Sequence, residues 1–258
     1  MQGAHAAAVV AATRTWLERA VIGLQLCPFA RAVYVNEQVR YVVSDAPNTA
    51  ALRAELEREL RTLIQTDASV VDTTLLIHPQ VLTDFLAYND FLDVAEATVE
   101  ALGLSGVVQI ASFHPAYQFA GTTSDDVTNF TNRSPYPMLH LLREASVSRA
   151  VEAFPDTPNI YQRNLETMRR LGAQGWAALS LEAPAREASA REASAREASA
   201  GPTELQAPLP EGLGALVRER FQLNACVRVR RGGAEWDYEE VTGVRWPSRR
   251  YIGRVNRR

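Results

Sequence analysis

The chain has 258 residues, a formal net charge of −3 and a hydrophobic fraction of 47%. That fraction is large enough for a packed core and excludes global disorder, while the small net charge gives no reason to expect a nucleic-acid or membrane partner for the chain as a whole. All 27 basic residues are arginine, so mechanisms that depend on a lysine base or a lysine Schiff base are excluded.

Apolar residues recur at helical or strand spacing through the first 178 residues. In chain order they predict a helix over 7–26, a strand over 39–43, a helix over 49–64, a strand over 70–77, a helix over 83–102, a strand over 107–113, a polar loop over 117–134 and two helices over 135–153 and 158–171. Strands that alternate with helices predict an α/β domain with flanking helices, a small, mostly parallel sheet and right-handed crossovers. A split-βαβ, ferredoxin-like sheet is the alternative that this pattern allows.

A change of composition divides the chain into three parts: an α/β domain over 1–178, a low-complexity linker over 179–203 and a basic tail over 204–258. The linker contains three copies of Arg-Glu-Ala-Ser-Ala over 186–200, and this period builds no apolar stripe on a helix. In the tail, alternating residues on both sides of Gly232-Gly233 predict a β-hairpin. The arginines of this tail are the one feature through which contact with nucleic acid is conceivable, and we expect the tail to be a weakly ordered appendage.

The two cysteines, Cys27 and Cys226, are far apart and form no disulfide framework. A reducing compartment suits such a chain, so we expect a cytoplasmic protein. No apolar run reaches the roughly 20 residues that a membrane span needs, and we therefore expect no membrane association.

Two His-Pro pairs each follow a predicted strand directly. His78-Pro79 follows the second strand and His114-Pro115 follows the third. In open α/β sheets ligands bind outside the carboxyl ends of the strands, and a proline there stops further strand pairing. We expect both imidazoles to line a site at this edge; the alternative is that each histidine only caps its strand through a hydrogen bond.

His140 is a third candidate, within the helix predicted over 135–153. Glu144 follows four residues later on the same helical face, where it could orient the imidazole for acid–base catalysis; an exposed pair without function is the alternative. With His78 and His114, His140 could also bind a divalent transition metal that keeps an open position. No His-x-x-x-His or His-Glu-x-x-His spacing supports this metal site.

Four further residues are candidates on local grounds. Cys27 precedes Pro28, where a helix is predicted to restart, and a thiol at a helix N-terminus has a lowered pKa; a buried, inert thiol is the alternative. Arg133 lies at the turn from the polar loop to the next helix and could bind a carboxylate or phosphate. Asn89 and Asp93 share the polar face of their helix, and the favoured explanation of that pattern is solvation of the face.

Several motifs of this sequence occur in the same order in a known family. They lie at 23–30, 39–41, 76–79, 88–93, 112–115 with Tyr117 and Phe119, 132–137, His140 and 143–144. Over about residues 8–176 the chain therefore resembles the uncharacterised family catalogued as domain of unknown function 1415. The resemblance implies a small soluble protein without an assigned activity, and it carries over no catalytic residue.

These candidates favour an enzyme that acts on a small anionic substrate at a His-lined pocket. The catalytic candidates are His78, His114, His140, Glu144 and Cys27, and the substrate-binding candidates are Arg133, Asn89 and Tyr117. A bound divalent transition metal is one variant of this hypothesis, and a Cys27 nucleophile is another. The alternative is a non-catalytic module for a small ligand or a partner protein, in which the histidines bond to the backbone.

Overall fold

The structure of the chain is a computed structural model that describes residues 2–153 and 160–181, together with the backbone of 230–231 and 234–235. Its elements are α1 (Gln2–Trp16), a π-helical segment (Leu17–Ile22), α2 (Ala30–Val35), β1 (Val39–Val43), α3 (Thr49–Gln65), β2 (Thr73–Ile77), α4 (Phe85–Ala101), β3 (Val108–Phe113), a 3₁₀ helix (Val127–Asn132), β4 (Met138–Arg143), α5 (Glu144–Ala153), α6 (Ile160–Ala178), β5 (Arg230–Arg231) and β6 (Ala234–Glu235). The repeats over 186–200 and most of the basic tail lie outside the described residues. The two short strands β5 and β6 pair antiparallel on either side of Gly232-Gly233, where the sequence predicts a hairpin turn.

Four strands form a mixed sheet in the order β1-β2-β4-β3. β1 and β2 are parallel, and β4 is antiparallel to both of its neighbours, β2 and β3. β2 and β3 therefore point the same way with β4 between them, which is the split-βαβ arrangement around α4. The predicted α/β class with flanking helices is confirmed, and the sheet is mixed.

The helix predicted over 135–153 is wrong in its first half, because residues 138–143 form β4. An apolar run such as Met-Leu-His-Leu-Leu fits a strand buried on both faces as well as it fits a helix. Met138, Leu139 and Leu141 are all fully buried in the centre of the sheet. This burial favours a strand and outweighs the helical propensity of leucine and methionine. Helix α5 begins only at Glu144.

The sheet separates two apolar clusters and gives the domain three layers. Alternation along β2 places Leu76 against α3 and α4, while Leu75 and Ile77 face α1 and the π-helical segment. Arg143 at the end of β4 fastens α3 to this sheet, because its guanidinium donates to the carbonyls of Leu63, Thr66 and Val71 near the end of that helix. None of the helices in the described part combines the length and the apolar character that a membrane crossing requires.

The first predicted helix is α1 followed by one π-helical segment, and Gly23 stands where this segment ends. A Cβ at position 23 would lie 2.4 Å from the backbone oxygen of Arg19. Only glycine allows the backbone to come this close. Gly23, the first residue of the motif at 23–30, is therefore explained by the backbone geometry at the end of the helix.

Candidate functional site

His78 and His114 emerge from the carboxyl ends of β2 and β3, on the face of the sheet that carries α4. Each histidine opens a β-turn with its proline in the second position, a placement that proline favours. The Val81 N–H donates to the His78 carbonyl at 3.4 Å, and the Tyr117 N–H donates to the His114 carbonyl at 3.1 Å. The two His-Pro pairs therefore form the same kind of turn, one at the end of β2 and the other at the end of β3.

Both imidazoles bond to the loop between β2 and α4. His78 Nδ1 donates to the Val81 carbonyl at 2.8 Å, and His114 Nε2 donates to the next carbonyl, that of Leu82, at 3.2 Å. His114 Nδ1 accepts the Ala116 N–H at 3.0 Å, so both nitrogens of this ring are engaged. Leu82 has φ of 59°, a left-handed conformation that is rare for a bulky side chain and is held here by the surrounding contacts.

Tyr88 of α4 lies between the two imidazoles. Its ring stacks on His78 with centroids 5.8 Å apart and lies 5.1 Å from the His114 ring. Its hydroxyl accepts the Phe113 N–H at 3.0 Å and donates to the Met138 carbonyl at 2.8 Å. Phe113 and Met138 are partners across β3 and β4, so the phenol occupies the place of a direct ladder bond at the strand ends.

Two aromatic rings enclose this cluster on the outer side. Phe85 lies 5.3 Å from the His114 ring and 5.2 Å from the Tyr117 ring, and Tyr117 is only 2% exposed. His78 and His114 are each 1% exposed. The predicted substrate-binding residue Tyr117 is therefore part of a closed aromatic wall over the histidines.

Burial keeps the cluster uncharged. It lowers the pKa of His78 to about 4, with a smaller contribution from the neighbouring His114, and it also lowers the pKa of His114. Burial raises the pKa of Tyr88 well above its usual 10. Both imidazoles are neutral at pH 7, and His78 Nε2 has no hydrogen-bond partner among the described residues.

His140 lies on the other face of the sheet, towards α1. Its Nε2 donates to the Thr73 hydroxyl at 2.7 Å, because that hydroxyl in turn donates to the Leu141 carbonyl at 2.7 Å. Burial lowers the pKa of His140 to about 4. The predicted pairing with Glu144 is wrong, because four residues along a strand separate the two Cα atoms by about 13 Å.

The predicted three-histidine metal centre does not form, since β4 turns its histidine away from the other two. Within residues 2–153 and 160–181, no three histidine, cysteine or acidic side chains converge as metal ligands would. Residue spacing alone could not reveal this, because it depends on β4 being a strand.

Cys27 packs into the cluster between α1 and the sheet, on the face opposite Tyr88. Burial raises the pKa of its thiol, and the N–H groups of Phe29 and Ala30 only partly oppose that effect. The prediction of a reactive thiol with a lowered pKa is therefore wrong. The helix that follows is short, and the apolar surroundings dominate.

Arg133 braces the polar loop from inside. Its guanidinium donates to the carbonyls of Tyr117 at 3.2 Å and Ser124 at 2.5 Å and lies 4.7 Å from the centre of the Phe130 ring. Its own carbonyl accepts the Trp16 indole N–H at 2.8 Å. The guanidinium N–H groups of Arg133, which were predicted to bind an anion, therefore donate to loop carbonyls.

A small recess lies along the seam between α4 and β3, next to the histidine cluster. It is lined by Leu92, Glu96, Ile110 and Ser112, and its cavity volume is about 10 Å³. Asn89 is buried on the same face of α4, one turn before Leu92 and towards the cluster.

Ser112 is the residue of this recess that the sequence prediction missed. It is 2% exposed, and its hydroxyl, although near the Tyr88 phenol, completes no hydrogen bond with the described residues. The signal was present in the alternation of β3, because Ser112 lies two residues before His114 and on the same face of the sheet.

Comparison with known proteins identifies one family. The model described as "Protein of unknown function (DUF1415)" matches residues 8–178, which is more than half of the chain and agrees with the resemblance seen in the motifs. No match was found among the curated proteins or among the solved structures.

Proposed function

We propose that this chain, which belongs to the DUF1415 family of proteins of unknown function, is a non-catalytic binding module whose ligand enters the recess between α4 and β3. The observation that carries the proposal is the Ser112 hydroxyl, which is buried in the wall of that recess beside the Tyr88 phenol and completes no hydrogen bond of good geometry within the described chain. A buried polar group normally has a partner, so a hydroxyl that lines an opening is suited to bind a ligand group.

The chemistry of the walls narrows the class of ligand. Leu92 and Ile110 offer apolar contact, and Glu96 contributes a carboxylate. A carboxylate disfavours an anion and favours a neutral or cationic hydrogen-bond donor. The recess holds about 10 Å³, roughly the space of one water molecule, so among ligand groups it admits only a small head group such as a primary ammonium.

The groups that were predicted to perform chemistry support binding in preference to catalysis. Both nitrogens of His114 and one nitrogen of His78 are bonded to the backbone. The Arg133 guanidinium is bonded to loop carbonyls, so it does not offer its donors to the anionic substrate that the sequence suggested.

The test is an NMR titration of the full-length protein with ethylammonium chloride, followed through the backbone amides. We expect shifts centred on Ile110 and Ser112 that Ser112→Ala abolishes. Thr74→Val is the matched control, because Thr74 also carries a buried hydroxyl without a partner among the described residues but does not line the recess. Sodium propionate tests the charge preference. Equal shifts with propionate, or binding that survives Ser112→Ala, would reject the proposal.

An enzymatic role remains a second candidate, on one specific observation. His78 Nε2 is a neutral acceptor without a partner in the described chain, which is the form that a general base needs. His78→Asn separates the two roles of this ring, since an asparagine amide can keep the donation to Val81 while the Nε2 acceptor is lost. In a panel of small ester and phosphoester substrates, an activity of the wild type that His78→Asn abolishes without loss of stability would favour the enzyme.

A further inference from the structure

β3 forms one edge of the sheet, and every second residue of it points its backbone groups away from β4. The His114 N–H donates to the Asn132 carbonyl at 3.2 Å, and the Val108 N–H donates to the Leu104 carbonyl at 3.0 Å, so both residues bond outside the sheet. Because the backbone groups of a strand alternate between its two sides, those of Ile110 also face outwards.

The centre of this edge is open, whereas both of its ends are covered. The Leu104 carbonyl covers one end, and at the other end Asn132 Nδ2 donates to the Ser112 carbonyl at 3.2 Å. Between them, the Ile110 N–H and carbonyl bond to no other described residue. The gap therefore fits one residue of an extended chain, which in antiparallel pairing exchanges two hydrogen bonds with Ile110.

The recess between α4 and β3 opens beside this gap. Ile110 and Ser112 line it from the strand, and Leu92 and Glu96 line it from the helix. Directly paired residues of antiparallel strands carry their side chains on the same face of the sheet. The side chain of a residue paired with Ile110 therefore lies on the face that carries α4, next to the recess.

We propose that the group bound in the recess is a lysine side chain of another protein, presented by an extended segment whose backbone pairs with Ile110. This inference rests on the proposed function, because it takes the recess to be the binding site of a primary ammonium group. The apolar stem of the lysine packs on Ile110, the ammonium donates to the Ser112 hydroxyl, and the Glu96 carboxylate attracts its charge. The backbone pairing supplies affinity for any extended segment, and the recess supplies the preference for one side chain.

The composition of the chain excludes its own segments as the occupant. The sequence contains no lysine, so neither the basic tail nor a second copy of the chain offers a primary ammonium on a side chain. A cavity of about 10 Å³ has room for an ammonium, which is close to a water molecule in size, but not for the planar guanidinium of arginine. A lysine of a partner protein meets both conditions.

The test uses the full-length protein and the peptide acetyl-Val-Thr-Lys-Thr-Val-amide, in which the lysine carries the only charge. In an NMR titration we expect the largest amide shifts at Ile110 and Ser112, and hydrogen exchange of the Ile110 amide should slow. Replacing the lysine of the peptide with norleucine or with arginine should raise the dissociation constant at least roughly tenfold, because the charge-assisted hydrogen bond is lost or cannot form.

Two N-methylated forms of the peptide isolate the backbone pairing. N-methylation of the lysine removes the N–H that donates to the Ile110 carbonyl, and it should raise the dissociation constant roughly fivefold or more. N-methylation of the threonine that follows alters an N–H that points away from β3, so it should have little effect. On the protein, Glu96→Gln should reduce the preference for lysine over norleucine, whereas Glu100→Gln, one turn further along α4 and outside the recess, should not.

Ethylammonium separates the failure of the strand pairing from the failure of the proposed function. If ethylammonium binds in a way that depends on Ser112, but the lysine peptide binds no more tightly or tolerates N-methylation of its lysine, the strand pairing is refuted and the ammonium site stands. If neither ethylammonium nor the peptide binds, both are refuted. A norleucine peptide that binds as tightly as the lysine peptide would show pairing without the recess and would overturn the assignment of lysine.

Discussion

The Tyr88 hydroxyl provides the sharpest test of how the strand ends are held. It bridges the Phe113 N–H and the Met138 carbonyl, which belong to paired residues at the ends of β3 and β4. Tyr88→Phe keeps the ring between the two imidazoles and deletes only this bridge. Two backbone groups are then left without a partner, and each buried orphan costs about 1–3 kcal/mol, so we expect a loss of about 3 kcal/mol in the free energy of unfolding.

The assay is urea unfolding of the full chain, with the dependence on denaturant checked to be unchanged. Tyr34→Phe is the control, because the Tyr34 hydroxyl bonds to Glu18 at the surface and its loss should cost less than about 1 kcal/mol. The Phe113 amide should also exchange faster in Tyr88→Phe. A Tyr88→Phe variant within about 0.5 kcal/mol of the wild type would refute the reasoning, since the strands could then close without the phenol.

Three other perturbations follow from the same structure. The pKa of His78 is 6.5 in the unfolded chain and about 4 in the folded protein. The free energy of unfolding that depends on this difference is therefore fully present above pH 6.5 and is lost as the pH falls to 4, by at most about 3 kcal/mol. The urea midpoint of the wild type should decrease more steeply over this range than that of His78→Asn. Gly23→Ala should destabilise by about 1–3 kcal/mol in thermal unfolding, because its Cβ meets the Arg19 oxygen, whereas Gly3→Ala in open space should be neutral or stabilising. Arg143→Met should cost about 2–4 kcal/mol in chemical unfolding, because several carbonyls at the end of α3 lose their donor; an effect below 1 kcal/mol would contradict that role.

The spacing of apolar residues was sufficient to predict the strands and the two long helices from β1 to β3. β2 has no alternation, and its short apolar run between turn residues was sufficient to predict a strand that is buried on both faces. β4 could not be predicted in this way, because its apolar run fits either period and only its place between β2 and β3 decides between them. The π-helical segment before Gly23 could not be predicted from the sequence either, since its hydrogen bonds span only one residue more than those of an α-helix.

The candidate site was predictable only where it depends on strand ends. The expectation that His78 and His114 emerge together at one edge agrees with the structure, in which both flank Tyr88. Their hydrogen bonds to Val81 and Leu82 depend on the conformation of the loop between β2 and α4, in which Leu82 has a positive φ. No local sequence pattern predicts that conformation. Arg133 was misread for the same reason, because a guanidinium that donates to loop carbonyls cannot be told from one that binds an anion until the loop is in place.

The two histidines of the His-Pro turns are neutral structural donors. Long-range ¹H–¹⁵N NMR of the imidazoles in the full chain tests this protonation state, because it identifies the protonated nitrogen of each ring and follows it with pH. We expect Nδ1–H for His78 and Nε2–H for His114 at pH 7, with His78 remaining neutral until the pH approaches its pKa of about 4. A His78 ring that is charged at pH 7, or that carries its proton on Nε2, would contradict it.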